Sequence, residues 1–290
     1  MEAHLQHLLN AVVLGGTYAL LGIGLTLIFG IMRVVNFTHG ELYTFGAYMA
    51  YMLAGMMGLN FFMSLAMAAV LGMALGALIE FTLLRPLKGA DIDTTMLVMI
   101  GAGIAMQAGE QLVWGGVAKS VPSPFPTEPV VMGSVSVGMN RLFVLGVALL
   151  LLGGFYLLIN RTKLGVAMRA TFQDPDTAAL MGVNRGLMYT LTFALGSGLA
   201  ATAGALLGPI FVVTPTMGDL VALKAFAIVI LGGLGNIPGA TIGGFVLALA
   251  EEFGAGYLSS GYRDAMGFLL IIAVLIVRPQ GLFAMKERIG

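Results

Sequence analysis

The stretch LLNAVVLGGTYALLGIGLTLIFGIMRVVNFTHGE, residues 8–41, decides the fold class of this chain. Its first part, 8–32, contains no charged side chain and is longer than the roughly 20 apolar residues that cross a bilayer core. The rest of the chain is similar in character, since 59% of its residues are hydrophobic and 10% are charged. Soluble domains carry about 25% charged residues, so this composition cannot cover a water-exposed surface. The sequence therefore predicts an all-α, polytopic bundle of transmembrane helices.

Nine apolar segments are candidates for spans, and we expect about eight or nine spans in a single membrane domain over 1–290. The segments are Leu8–Met32, Leu42–Gly58, Phe61–Leu84, Thr94–Val113, Leu142–Ile159, Leu187–Leu207, Leu220–Leu234, Ala240–Phe253 and Ala265–Val277. The last three are short. Short segments interrupted by glycine are typical of half-helices that meet inside a membrane, often within an inverted repeat.

The basic residues between the segments divide unevenly between the two sides. One side carries Arg33, Arg85, Lys88, Arg161, Lys163, Arg169, Arg185, Arg278, Lys286 and Arg288. The other side carries Lys119, Arg141 and Arg263. Because cytoplasmic loops are enriched in lysine and arginine, the first side is predicted to be cytoplasmic. The N-terminus is then outside and the C-terminus inside.

Two connections are long. The outer one, about 114–141, contains four prolines and is predicted to be an irregular loop. The inner one, about 160–186, contains the start and stop signals of a short helix, which are Asp174 as N-cap, Pro175 at the first position and Gly182 at the end. It is either a solvated loop helix or a docking helix for a soluble partner. The residues assigned to docking are Arg169, Asp174, Pro175, Asp176, Ala178, Ala179 and Gly182.

Two segments between apolar runs carry candidate functional residues. The first contains Asn36, Thr38, His39, Gly40 and Glu41. The second contains Gly232, Gly233, Gly235, Asn236 and Pro238. Each is either a tight turn or a break in a pore helix, where polar groups would face a water-filled substrate path. If the two segments are breaks in pore helices, we predict that they are corresponding points of an inverted repeat.

Other ionisable residues lie near the ends of the predicted spans. They are Glu80, Glu110, Lys224, Glu251 and Glu252. We predict interfacial side chains that reach water. The alternative is that Glu251 or Glu252 helps to receive the ammonium group of a substrate.

Several classes of protein have no support in the sequence. No Gly-x-x-x-x-Gly-Lys-Ser/Thr, His-Glu-x-x-His or Gly-x-Ser-x-Gly motif occurs, so a P-loop ATPase, a zinc protease and a lipase are disfavoured. There are no cysteines, and the net charge of zero argues against nucleic acid as a partner. The sequence predicts neither a cofactor nor a metal site.

Three stretches taken together resemble one family of membrane proteins. Residues 26–41 resemble the Asn-Phe-Ala-His-Gly hallmark of branched-chain amino acid ABC permeases, with Thr38 where the family most often has alanine. Residues 161–182 resemble a second part of these proteins. The run from 231–239 through 261–264 to 278–283 resembles a third.

This resemblance implies a transport subunit that is not an enzyme and has no ATPase site of its own. The implied partners are a second, similar permease, two cytoplasmic ATPase subunits that dock on the helix at Met168–Gly182, and an extracytoplasmic substrate-binding protein. The implied location is the inner membrane of a bacterium, and the implied cargo is branched-chain or other hydrophobic amino acids. Urea and short-chain amide permeases belong to the same family, so the motifs leave the substrate open. An ion-coupled secondary transporter that works alone and a structural membrane protein are the alternatives.

Overall fold

The apolar segments form α-helices throughout the residues that the computed structural model describes, which are 2–126, 128–132 and 135–283. A helix satisfies its backbone hydrogen bonds internally, as lipid requires of a spanning segment. The α-helices in this part of the chain are α1 Glu2–Met32, α2 His39–Ala50, α3 Phe61–Ile79, α4 Ile92–Trp114, α5 Met139–Arg161, α6 Lys163–Gln173, α7 Pro175–Leu180, α8 Arg185–Leu207, α9 Met217–Gly232, α10 Ile237–Tyr257 and α11 Arg263–Val277. π-Helical turns extend α2 over Tyr51–Met56 and α3 over Glu80–Leu84, and 3₁₀ turns lie at Arg85–Leu87 and Ser260–Tyr262.

Each of the nine predicted spans coincides with a helix, so the predicted all-α bundle is confirmed. Within the described residues, five helices are long and apolar enough to cross a membrane by length and composition. They are His4–Met32, Phe61–Leu87, Ile92–Trp114, Met139–Arg161 and Arg185–Leu207. Of the three segments expected to be short, α9 and α11 have 16 and 15 residues, whereas α10 has 21 and is longer than expected. The helix α2, which was not expected to be short, has 12.

The helices pack around α1 and α8, whose apolar residues are mostly buried, while α3, α4 and α5 expose most of theirs. The helices form two sets of three, α1–α3 and α8–α10. Each helix of one set packs against a helix of the other set in the reverse order, as expected for an inverted repeat. The helix α1 packs most extensively against α10, α8 packs most extensively against α3, and α2 and α9 meet near the centre.

This packing indicates a different pair of corresponding breaks in the two halves from the pair that the sequence predicted. The break at 33–38 follows α1 and precedes α2, so its counterpart is 208–216, between α8 and α9. The segment 233–236 joins α9 to α10, as 57–60 joins the extended α2 to α3. The predicted pairing of 33–41 with 231–239 is therefore wrong.

The outer connection is more regular than predicted. It contains a two-stranded antiparallel hairpin of β1 Pro129–Met132 and β2 Val135–Gly138, in which Pro129 pairs with Gly138. Lys119 also exchanges two backbone hydrogen bonds of 2.9 Å with Val213. These contacts tie the loop to the segment before α9.

The inner connection contains the predicted short helix, α7. Both Asp176 N and Thr177 N donate to the Asp174 carboxylate, at 2.9 and 3.1 Å. Hydrogen bonding from Thr177 lowers the pKa of Asp174 below its usual range. Gly182 follows the helix with φ +87°, a conformation that glycine adopts without strain. The single docking helix predicted over Met168–Gly182 is in fact two helices, because Asp174 ends α6 before it caps α7.

Four of the basic residues of the predicted inner side lie together at one end of the bundle. Arg33, Arg85, Lys88 and Arg185 line one cavity of about 610 Å³ there. Lys286 and Arg288, which also support the predicted orientation, lie outside the described residues. The orientation of the termini stays a prediction.

Close approach of helix backbones at small residues holds the centre together. A β-carbon on Gly46 of α2 would lie 2.0 Å from the carbonyl oxygen of Ala201 on α8. A β-carbon on Gly204 of α8 would lie 1.9 Å from the carbonyl oxygen of Tyr43. Small residues let helices in lipid pack this closely.

Replacing Gly46 with alanine should therefore destabilise the protein, because the added methyl group collides with a backbone oxygen. Overpacking of this kind costs about 1–3 kcal/mol, so the melting temperature of the purified chain in detergent should fall. Gly153→Ala is the control, since Gly153 is also helical and no described atom lies within 4 Å of its β-carbon position. Equal melting temperatures for the two variants would contradict the packing.

Candidate functional site

The helix α2 begins deep inside the bundle. The His39 ring donates from Nε2 to the carbonyl oxygen of Leu21, at 3.0 Å. Leu21 precedes the end of α1 at Met32 by eleven residues, or about 16 Å along the helix. Residues 33–38 therefore return alongside α1 before α2 starts, and they form a break within the bundle instead of a turn at its surface.

The polar side chains of this break are buried. Asn36, Thr38 and His39 are completely inaccessible to solvent, and Glu41 is nearly so. The Asn36 side-chain oxygen accepts hydrogen bonds from Thr38 N at 3.0 Å and Thr38 Oγ at 2.6 Å. This local turn fixes the start of α2 without a ladder of helical hydrogen bonds. Within the described residues, Asn36 Nδ2 and His39 Nδ1 have no hydrogen-bond partner.

A second helix N-terminus meets this one. A β-carbon on Gly40 would lie 2.1 Å from the carbonyl oxygen of Gly218, at the start of α9. The two starts have related sequences, Thr38-His39-Gly40-Glu41 and Thr216-Met217-Gly218-Asp219. Sequence analysis missed this junction, although the repeated Thr-x-Gly-acid pattern is visible in the sequence.

The junction has an ionisable side chain on its accessible face. Asp219 is exposed and accepts a 3.1 Å hydrogen bond from Gln107 of α4, and its neighbour Leu220 is 49% exposed. Because Gly218 contacts Gly40 beside the buried His39, this carboxylate lies near mid-depth of α1. A charged group facing lipid at that depth costs a few kcal/mol. The face that carries Asp219 therefore fits a water-filled cavity or a protein partner better than lipid.

The predicted interfacial positions of the other ionisable residues are wrong for Glu80, Glu110, Glu251 and Glu252, which are all buried. Glu110 belongs to the inward face of α4, which also carries Gly103, Gln107 and Trp114 at helical spacing. Trp114 stacks on Tyr48 of α2 with 4.7 Å between ring centroids. Tertiary packing of α4 on α2 buries these side chains.

A network of charges joins four helices and meets α1 near its middle, at Tyr18. Lys224 of α9 contacts Glu251 of α10 at 3.0 Å, Asp264 of α11 at 2.8 Å and the Tyr18 hydroxyl of α1 at 2.9 Å. Arg263 contacts Glu252 at 2.9 Å. Both glutamates are thus paired within the chain, which removes the support for a role of either in receiving a substrate ammonium group.

The second predicted group lies apart from the first. The Asn236 side-chain oxygen caps α10 by accepting from Gly239 N at 2.9 Å, and its Nδ2 donates to the carbonyl oxygen of Phe283 at 2.5 Å. Gly235, Asn236 and Pro238 line a largely apolar cavity of about 710 Å³ with residues of α1, α5 and α6. The structure therefore does not bring 232–239 together with 36–41.

The residues assigned to docking are divided between α6 and α7. Arg169 of α6 donates to the Asn160 side chain at 2.9 Å, and Asp176 of α7 pairs with Arg185 at 2.5 Å. Ala178 is buried and cannot contribute to a docking surface. Leu180 and Met181 are 87% and 82% exposed, so they form the apolar part of the accessible surface.

The chain is similar to known transport proteins along nearly its whole length. The model of the family described as "Branched-chain amino acid transport system / permease component" matches residues 7–275. The high-affinity branched-chain amino acid transport system permease protein BraD of Pseudomonas aeruginosa is 37% identical, over 98% of this chain and 97% of that protein. LivH of Escherichia coli, which has the same description, is 36% identical over 98% and 96%. The probable branched-chain amino acid transport permease protein LivH of Methanocaldococcus jannaschii is 31% identical over 94% and 90%.

The accessibility of the junction can be tested with thiol labelling, because the natural sequence contains no cysteine. Leu220→Cys in cell membranes should react with a charged maleimide, since Asp219 beside it requires water or a polar partner. Leu150→Cys is the control, because Leu150 lies midway along α5, is 71% exposed and is surrounded by apolar residues. Mass spectrometry of the purified chain gives the labelled fraction. Equal labelling at both positions would contradict the assignment of this face.

Proposed function

Because the chain belongs to the family of permease components of branched-chain amino acid transport systems, we propose that it is the membrane-spanning subunit of an ATP-driven importer of branched-chain or other hydrophobic amino acids. The observation that carries the proposal is the junction of α2 and α9, where two helix starts meet deep in the bundle beside an exposed carboxylate. Interrupted helices at such a point are typical of substrate sites in transporters. The transported amino acid passes this junction between the chain and a second, similar permease.

Energy reaches the chain through protein contact. In this proposal a cytoplasmic ATPase docks on the segment from Arg169 to Gly182, with Leu180 and Met181 as its apolar anchors. An extracytoplasmic binding protein delivers the amino acid at the opposite end. Closure of two ATPases moves α6 and α7, the spans rock, and the path opens to one side at a time. The basic residues at the α6–α7 end support a cytoplasmic location for that end and an external N-terminus.

The test of the whole proposal is uptake by a reconstituted complex. Vesicles containing this chain, the second permease and the ATPases should accumulate labelled L-leucine when ATP is inside and the binding protein is outside. Ion-gradient-driven uptake by this chain alone, without ATP, would identify a secondary transporter and overturn the proposal.

Replacing both Leu180 and Met181 with aspartate should uncouple the ATPases, because two large apolar contacts become charged. We expect ATPase co-purification and uptake to fall by about tenfold or more, as losing hot-spot contacts of about 2 kcal/mol each implies. Val117→Asp is the control for ATPase co-purification, since Val117 is 72% exposed in the outer connection, away from the docking segment. Normal coupling in the double variant would remove the docking assignment.

Asn36→Ala should reduce uptake by about tenfold or more while the complex still assembles, because the break loses the side chain that positions Thr38 and α2. Asn60→Ala is a matched control, since the Asn60 side-chain oxygen also accepts a backbone N–H two residues ahead, from Phe62 at 2.9 Å, but at the start of α3. Uptake rate at saturating substrate is the measurement. Equal rates in the two variants would show that the break is only a turn.

A further inference from the structure

The carboxylate of Glu110 is buried without a partner. Glu110 is 4% exposed and faces inward from α4. Throughout the part of the chain that the structure describes, neither of its side-chain oxygens has a hydrogen-bond partner. An uncompensated ionised group in a protein interior is costly, so a buried carboxylate without a partner needs either a proton or a cation.

Two further acceptors with free capacity surround it. α4 runs alongside α2, because a β-carbon on Gly103 would lie 3.7 Å from the Phe37 carbonyl oxygen and Trp114 stacks on Tyr48. Glu110 of α4 therefore lies between the levels of Glu41 and Tyr48 on α2. Glu41 Oε2 and Tyr48 OH are also buried and lack hydrogen-bond partners among the described residues. Lys224, the basic residue of the adjacent α9, is directed to Tyr18, Glu251 and Asp264 instead. The group therefore combines two carboxyl groups with unused acceptors, and this chain directs no lysine of α9 towards it.

An alkylammonium group matches this arrangement. It carries one positive charge and three N–H donors, and Glu110, Glu41 and the Tyr48 hydroxyl oxygen offer three acceptors. The single positive charge balances one ionised carboxylate, and the other carboxyl group keeps a proton and accepts through its carbonyl oxygen. The cluster lies next to the junction of α2 and α9, because a β-carbon on Gly218, the neighbour of Asp219, would lie 2.7 Å from Glu41 Oε1. A cation that enters past Asp219 would reach Glu41 and then Glu110.

We propose that Glu110, Glu41 and Tyr48 form a site that receives the ammonium group of the transported amino acid. The proposal rests on the function proposed above, because it assigns a subsite on that substrate path. The proposal predicts that the site recognises only the ammonium end of the substrate. An analogue that has the amine but no carboxylate should bind here. An analogue that has the carboxylate but no amine should not bind.

The first test is Glu110→Gln in the assembled complex in vesicles. Glutamine keeps the size of the side chain but removes the charge, and a hydrogen bond to a charged group is worth about 1.5–3 kcal/mol. We expect the rate of L-leucine uptake to fall at least about tenfold while the complex still assembles. Glu80→Gln is the matched control, because Glu80 is 1% exposed but accepts a 2.6 Å hydrogen bond from Thr190 far from the cluster. Uptake at the wild-type rate by Glu110→Gln would overturn the proposal. Glutamine mimics a glutamate that is always protonated, and such a side chain cannot form an ion pair with an ammonium group.

The second test measures binding directly, through the melting temperature of the permease–ATPase complex without the binding protein. A ligand that binds only the folded state raises this temperature. We expect 3-methylbutylamine to raise it in the wild type and not in Glu110→Gln, and 4-methylpentanoate to have no Glu110-dependent effect. Stabilisation by sodium or potassium in place of the amine would assign the site to an inorganic cation and overturn the proposal.

The two tests separate the failure of this proposal from failure of the proposed function. If the wild-type complex imports no amino acid, the proposed function fails, and the melting experiment still decides whether the cluster binds an ammonium group. If import is normal and both Glu110 tests are negative, only the ammonium site fails.

Discussion

The structure depends on one constraint, which is that backbone polar groups inside a membrane must be satisfied by the protein itself. A break in a spanning helix is tolerated only where neighbouring helices enclose it. Here α1, α8 and α9 enclose the break at 33–38, and they come close enough because glycines line their contacts with α2. The His39 ring, through its bond to the Leu21 carbonyl oxygen, then sets the depth at which α2 begins. The buried polar site is thus a result of close backbone packing.

Hydropathy and capping signals were sufficient to predict the spans and α7, because both depend on residues that are neighbours in sequence. The depth of the 33–41 segment could not be predicted in this way, since a surface turn and an enclosed break use the same residues and differ only in a contact 18 positions away. The sequence analysis assigned 231–239 as the partner of that break, because the high glycine content of this segment suggests an interrupted helix. The true partner, 208–216, has little glycine and is identified by packing. Glu110 was predicted to be interfacial from its place near the end of a span, but the face that it occupies on α4 buries it.

The helix α8 connects the two regions that the proposed function requires. At one end, Arg185 pairs with Asp176 of α7 on the surface assigned to docking. Further along, Ala201 and Gly204 contact α2 through Gly46 and Tyr43. Since a packed helix moves nearly as a rigid rod, the proposed displacement of α7 would be transmitted to the start of the proposed substrate path without any further connecting element.

The charge network of Lys224, Glu251 and Asp264, with Arg263 and Glu252 beside it, also restricts how this sequence can diverge. Removing one member of a buried ion pair costs about 3–5 kcal/mol, because the other charge is stranded, whereas replacing both members with apolar residues is often neutral. Lys224 and Glu251 are 27 positions apart. Two codons on different helices must therefore change almost together, and most descendants of this chain will inherit the pair intact or lose it whole.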